Sequence, residues 1–426
     1  MRRGIRGDWR RSTLVGLATV AAVAGVWMVR AGPGTPFTGT ITVGSAPLSM
    51  VIDARSGHTF VANTRSDSVS MMDTARGTVV RTVAVDGEPG ALAVDGRDGR
   101  VFVVTTSRTG PESVSTLDSE TGQLLRTTPV GQAAGYGTGA IAVDERRGRV
   151  VVTDDYESRV SVLDARRGTV QRTFSAGLDP TEVTVDARTG LAYVADTSED
   201  KVLVLDVARG RVLRTFSVAG SPIAVGVDPA TGLLSVTGYD EATSTGSVTW
   251  LDSHSGRVVL ATAKVSSVVV ADPHVAALYT VDAATDSVFV TTRRSSTARK
   301  IVSWGAGDAL MMTSVTVDPR TGRLFILMDT CGQRLTPTVT GCVRVIDPRA
   351  GRLVATILVG GGPRALAIDG ATGRIFVTNS RGEPSTGARA DWIPPWLRDH
   401  LSWLPMLGAP ATGTTAGTVS VFNVPR

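Results

Sequence analysis

The side chains of this 426-residue chain that could do chemistry are mostly carboxylates, and they are regularly spaced. The pattern Asp-x-x-x-Gly follows a short β-branched run at Asp53, Asp95, Asp144, Asp186, Asp228, Asp318 and Asp369. Val281-Asp282 reads as an eighth copy, with Asp286 in place of the glycine. A ring of such acids would suggest a cation site. Calcium loops need several carboxylates at dense spacing, whereas the intervening positions here are mainly Ala, Arg, Thr and Pro. The residue types point instead to turns, in which Asp accepts backbone amides and Gly supplies the left-handed conformation. The seven Asp residues are therefore expected to be structural turn residues, with no metal site and no cofactor.

Other chemistry is sparse. His58, His254, His274 and His400 are scattered without ligand spacing. No nucleophile elbow or phosphate-binding loop occurs at a strand-to-helix junction. The two cysteines, Cys331 and Cys342, flank one long loop. In an exported protein such a pair is expected to form a disulfide.

The elements that must carry these turns are strands. The steps between successive Asp residues are 42, 49, 42, 42, 54, 36 and 51. A second turn series, at Asp73, Asp118, Asp164, Asp206, Asp252 and Asp347, lies between them. Each unit thus holds two hairpins. In the unit at 177–218, Thr181–Val185, Leu191–Ala195, Val202–Leu205 and Val212–Phe216 read as four short strands with no helical period. Such a repeat predicts an all-β fold, a β-propeller of four-stranded antiparallel blades. Aromatics make up 5% of the chain, so blade faces are expected to pack mainly through Val, Ala, Leu and Thr.

First-strand signals number eight if Asp282 is included. The unit after it lacks the usual second turn, and its third strand is expected at Arg299–Trp304. Eight blades are favoured, or seven if that weak unit is an insertion. Gly39–Val43 reads as a fourth strand with nothing before it, and Thr418–Phe422 as a third strand with nothing after it. The two ends are expected to complete one blade as a clasp.

Phe60-Val61-Ala62-Asn63, Tyr193-Val194-Ala195-Asp196 and Phe376-Val377-Thr378-Asn379 recur in register with these turns. They resemble the YVTN-type β-propeller repeat family, related to the lactonase-like propellers, over roughly residues 38–424. The resemblance implies a propeller fold and surface-layer or periplasmic settings. It brings no catalytic motif that can be matched residue by residue.

Residues 1–31 differ in composition. Arg2, Arg3, Arg6, Arg10 and Arg11 precede an uncharged stretch of 18 residues, Ser12–Val29. This predicts a hydrophobic N-terminal helix, acting as a signal peptide or a signal anchor. Cleavage sites are available after Ala24 and Ala31. Residues 32–38 read as a linker, and residues 39–426 as the propeller. Residues 1–31 contain six Arg and one Asp; without them, 44 basic and 39 acidic residues become 38 of each. The basicity belongs to targeting, so nucleic acid is not expected as a partner.

Hairpin turns should lie on one face of the ring, and the longer, variable connections on the other. Insertions gathered on one face mark a binding face in repeat proteins. They occur at 105–112, 132–139, 238–246, 329–341 and 380–417. Candidate binding residues there are Tyr136, Tyr239, Trp392, Trp396 and Trp403. The expected function is an exported or membrane-anchored binding or scaffold module of the cell envelope. It would be monomeric, extracytoplasmic, and bound to an unknown protein or envelope ligand. The competing class is a lactonase-like hydrolase or lyase. Clustered His, Glu and Asp at the channel mouth would favour the enzyme; a lining of Val, Thr and Ala would favour the scaffold.

Overall fold

The computed structural model describes residues 39–107, 110–131, 139–228, 231–240, 245–261, 267–272, 277–282, 285–292, 295–303, 312–318, 320–329, 341–381 and 416–423. The N-terminal segment and linker therefore lie outside the described residues.

The turn chemistry builds the hairpins. In the first, the Gly57 amide donates to the Asp53 carbonyl at 2.9 Å and the Arg55 amide to Asp53 Oδ1 at 3.0 Å. Gly57 adopts φ 72°, a conformation costly for any residue with a Cβ. Thr78–Ala84 then completes a sheet with Pro47–Asp53, His58–Asn63 and Ser68–Asp73. The chain repeats this arrangement into eight four-stranded antiparallel sheets, the blades of a propeller. Their innermost strands, in order, are Pro47–Asp53, Glu88–Asp95, Ile141–Asp144, Pro180–Asp186, Ser221–Asp228, Ser267–Asp272, Met312–Val317 and Gly361–Ile368. No helix among the described residues is long and apolar enough to cross a membrane.

Both ends of the chain build blade eight. Gly39–Ser45 pairs with Ala416–Asn423, with Gly39 opposite Val421 and Ile41 opposite Val419. Ile41 and Val43 join Phe376, Val419 and Val421 in one core with Val61 and Met72 of blade one. The clasp therefore seals the ring at its last seam.

Blade six corrects the sequence reading. Asp282 ends its second strand, Ala277–Asp282, and not its first, which is Ser267–Asp272. Arg299 falls in the fourth strand, Ser295–Ser303, and not in a third. The physical reason is that two turn types share one spacing. Turns between strands two and three also begin with Asn or Asp and place a left-handed residue four positions later: Asp67 after Asn63, Ser158 after Asp154, Asp200 after Asp196. Asp286, with φ 48°, belongs to that series.

Strand two supplies the packing between blades. Phe60, Phe102, Tyr193, Phe325 and Phe376 are fully buried, and each packs against the next blade in the ring. Phe60, for example, meets Val101, Val103 and Leu117. Val, Leu and Ala fill most of the remaining space, but an aromatic ring at this position anchors these five junctions, and Tyr279 of blade six packs against blade seven in the same way. Arginines staple the hairpin face. Arg55 donates to the carbonyls of Gly96 and Arg97, Arg147 to those of Ala187 and Arg188, and buried Arg374 to those of Thr74 and Ala75.

Candidate functional site

The acids of the two faces differ in how well they are satisfied. On the hairpin face, Asp carboxylates accept turn amides and face exposed arginines. The Arg167 amide and guanidinium hold Asp164 below the usual carboxylate range, and the Arg209 guanidinium does the same for Asp206. The Ser255 hydroxyl and amide lower Asp252. Two acids depart from this: burial raises Asp95 and Glu145, and Glu145 Oε1 accepts the Gly96 amide at 3.1 Å. These carboxylates hold turns together.

On the opposite face, acids crowd together over blades two to four. Between Glu112 and Lys201 this face carries Glu112, Asp154, Asp155, Glu157, Asp179, Asp196, Glu199 and Asp200. Among the described residues there, the cations are Arg159 and Lys201. Each bridges the glutamate two residues before it, at 3.7 and 3.3 Å. The turn after Arg149–Asp154 presents the first group of acids, and the turn after Leu191–Asp196 presents the second. Asp179 lies on the connection between blades three and four.

Glu112 is the most perturbed of them. It immediately precedes the third strand of blade two, Ser113–Asp118, and its carbonyl accepts the Val130 and Gly131 amides at 2.8 and 3.2 Å. The residue is 6% exposed, and neither carboxylate oxygen has a hydrogen-bond partner. Burial, followed by the charges of Asp154, Asp155 and Glu157, pushes its carboxyl up to about 8; the nearby Gly139 amide offsets this only in part. Glycines make the space. A Cβ at Gly139 would lie 2.4 Å from Glu112 Oε1, and one at Gly131 would lie 3.0 Å from Asp154 Oδ2. Burial with Glu157 and Asp155 raises Asp154, burial with Asp155 raises Asp179, and burial with Glu199 raises Asp196. Titratable groups displaced in this way by burial and like charge cluster at functional sites.

Two exposed apolar side chains stand in the same patch. Tyr156 is 65% exposed and Leu178 62%. Ser158 Oγ donates to the Leu178 carbonyl at 2.7 Å, which ties the two loops together. The Leu178 and Asp179 amides donate to the Asp196 carboxylate, both at 3.1 Å.

The inner strands present chiefly small and apolar residues: Met50 to Ile52, Ala91 to Val94, Ile141 to Val143, Val315 to Val317 and Ala365 to Ile368. Between the strand ends, the charged exceptions among the described residues are Glu182 and Arg364, on blades four and eight. Burial pushes Glu182 up to about 7, and the Val183 amide reaches it at 3.4 Å. Neither His58 nor His254 lies on an inner strand, and no three His, Cys, Asp or Glu among the described residues converge as metal ligands.

Of the residues singled out in the sequence, Tyr239 is half-buried in the second strand of blade five, opposite Ser221 and Gly246, and stands apart from the acidic sector. Tyr136, Trp392, Trp396, Trp403 and Cys331 lie outside the described residues. Cys342 is buried at the start of the third strand of blade seven. The acids and the Tyr156–Leu178 pair were not anticipated. Their legible signal was Asp154-Asp155-Tyr156-Glu157, a dense acidic run around an aromatic in a short connection.

No protein-family model matches the chain, and no curated protein matches it. Among solved structures it is similar to Kuenenia stuttgartiensis hydrazine synthase, with a TM-score of 0.50 and 17% identity, covering 82% of this chain and 96% of that one. At that identity the likeness shows the propeller fold alone.

Proposed function

We propose that the chain is an exported or membrane-anchored β-propeller that serves as a binding or scaffold module of the cell envelope, and that the face opposite the hairpins is its binding face. The observation that carries this reading is the segregation of the carboxylates. Most of those on the hairpin face are satisfied by amides and arginines, Asp95 and Glu145 excepted, whereas those on blades two to four crowd together, with Glu112, Asp154 and Asp196 buried among like charges, beside exposed Tyr156 and Leu178. A protein does not gain stability from such an arrangement, so a ligand is its natural explanation. The inner strands, lined by small and apolar residues, fit a scaffold better than a hydrolase. The basic, apolar N-terminal segment supplies the export or anchoring signal, and Cys331 pairs with Cys342 in that oxidising setting. Trp392, Trp396 and Trp403, outside the described residues, are the further binding residues of this reading.

Fractionation of cells followed by native electrophoresis of the gently solubilised envelope tests the reading. The expected result is an envelope-located complex that disappears when Asp155 and Glu199 are both reversed to Lys. A cytoplasmic location, or migration unaffected by the reversal, would contradict it. Glu182 supports a second reading, that of a general acid or base in the channel. It predicts that Glu182→Gln abolishes turnover of a lactone panel by the purified chain.

A further inference from the structure

Resting on the binding reading, we infer that the acidic face of blades two to four docks a lysine- or arginine-rich segment of a partner protein, one cationic side chain of which enters beside Glu112 and displaces a proton from it. The first support is charge complementarity. Acids outnumber cations in this sector eight to two among the described residues, although the propeller as a whole is neutral. The second is Glu112 itself, which is more than nine-tenths buried, lacks a hydrogen-bond partner and lies with the Asp154 carboxylate beside Gly131. A buried carboxylate without a donor is an incomplete site, and a charged donor completes it.

The chemistry selects the donor. A divalent ion needs several convergent oxygens, and no three acids converge that way among the described residues. A lysine ammonium on its four-carbon stem can reach a recessed carboxylate. Exposed Tyr156 and Leu178 at the rim would cover the stem and offer a ring face to the cation. The acids around Glu112 are Asp154, Asp155 and Glu157; Arg159 already bridges Glu157.

Binding and protonation are then linked. Free Glu112 holds its proton up to about pH 8. An entering cation favours the anion, so Glu112–COOH becomes Glu112–COO⁻ and the proton passes to buffer. Affinity should therefore rise roughly tenfold per pH unit below about 8 and level off above it.

The test is calorimetric titration of the full chain with an oligolysine peptide, in two buffers of different ionisation enthalpy and over a range of pH. The expected result is salt-sensitive binding with release of about one proton near pH 7. Glu112→Gln should abolish the proton release and flatten the pH slope. Asp155→Asn and Leu178→Ala should weaken binding and leave the proton count intact, and Glu120→Gln on the hairpin face should change nothing. No binding at low salt, binding without proton release, or proton release that persists in Glu112→Gln would each overturn the inference. If the envelope complex still depends on Asp155 and Glu199 while oligolysine fails to bind, the binding module stands and the basic-segment partner falls.

Discussion

Replacing Ile41 by Ala separates a structural clasp from a trailing N-terminal tail. Along Gly39–Ser45 the side chains alternate, with Ile41 and Val43 buried and Thr40 and Thr42 exposed. Ile41 is 6% exposed and sits among Val61, Met72, Phe376, Val419 and Val421, at the seam where blade eight meets blade one. Truncating such an Ile removes most of its buried apolar surface and leaves a cavity, at a cost of about 2–5 kcal/mol. The lower half of that range applies, because an outer strand can shift inward to fill part of the space. Against a whole-protein stability of about 5–15 kcal/mol, this is a large loss. Thr42→Ala, one residue away on the solvent side, should cost less than about 0.5 kcal/mol. Urea titration followed by circular dichroism, with wild type, Ile41→Ala and Thr42→Ala compared at equal slope, measures both. If the two variants melt at the same urea concentration, the ring does not depend on its first strand and the reasoning fails.

Three other outcomes follow from the same structure. Arg374→Ala should destabilise by about 3 kcal/mol, because it removes a charged donor from the buried Thr74 and Ala75 carbonyls. Arg76→Ala should change the urea midpoint little, since that arginine is largely exposed beside Asp73. The third outcome concerns pH. Glu112 is raised in the folded state, so its contribution to stability is intact below the ordinary carboxylate range and is lost as pH climbs toward about 8; Glu112→Gln should flatten that decline, which urea midpoints measured across pH will show.

Much of this architecture was legible because each hairpin repeats its own chemistry. Asp53 and Gly57 do in the fold what their types suggest, since a carboxylate acceptor and a left-handed glycine are local requirements. The clasp was legible too, as two orphan strands need one another. Blade six was misread because an Asp followed four residues later by a left-handed position describes two different turns. Tyr279-Thr280-Val281-Asp282, which parallels Tyr193-Val194-Ala195-Asp196, held the resolving clue. The acidic sector was hidden for another reason. Glu112, Asp154, Asp179 and Asp196 come from separate connections, and only the side-by-side packing of blades two, three and four makes them neighbours. A net charge cannot show that one face is acidic when the arginines lie on the other. Nor does any local pattern mark Glu112 as buried, because its burial depends on Gly131 and Gly139 in a distant connection.

The claim that the non-hairpin face is the binding face can be tested directly by photo-crosslinking in cells. A photoreactive amino acid would replace Tyr156 on one face or Arg76 on the other; both positions are exposed. The account predicts a discrete crosslinked adduct from position 156, diminished when Asp155 and Glu199 are neutralised, and none from position 76. Adducts from position 76 with none from position 156 would contradict it.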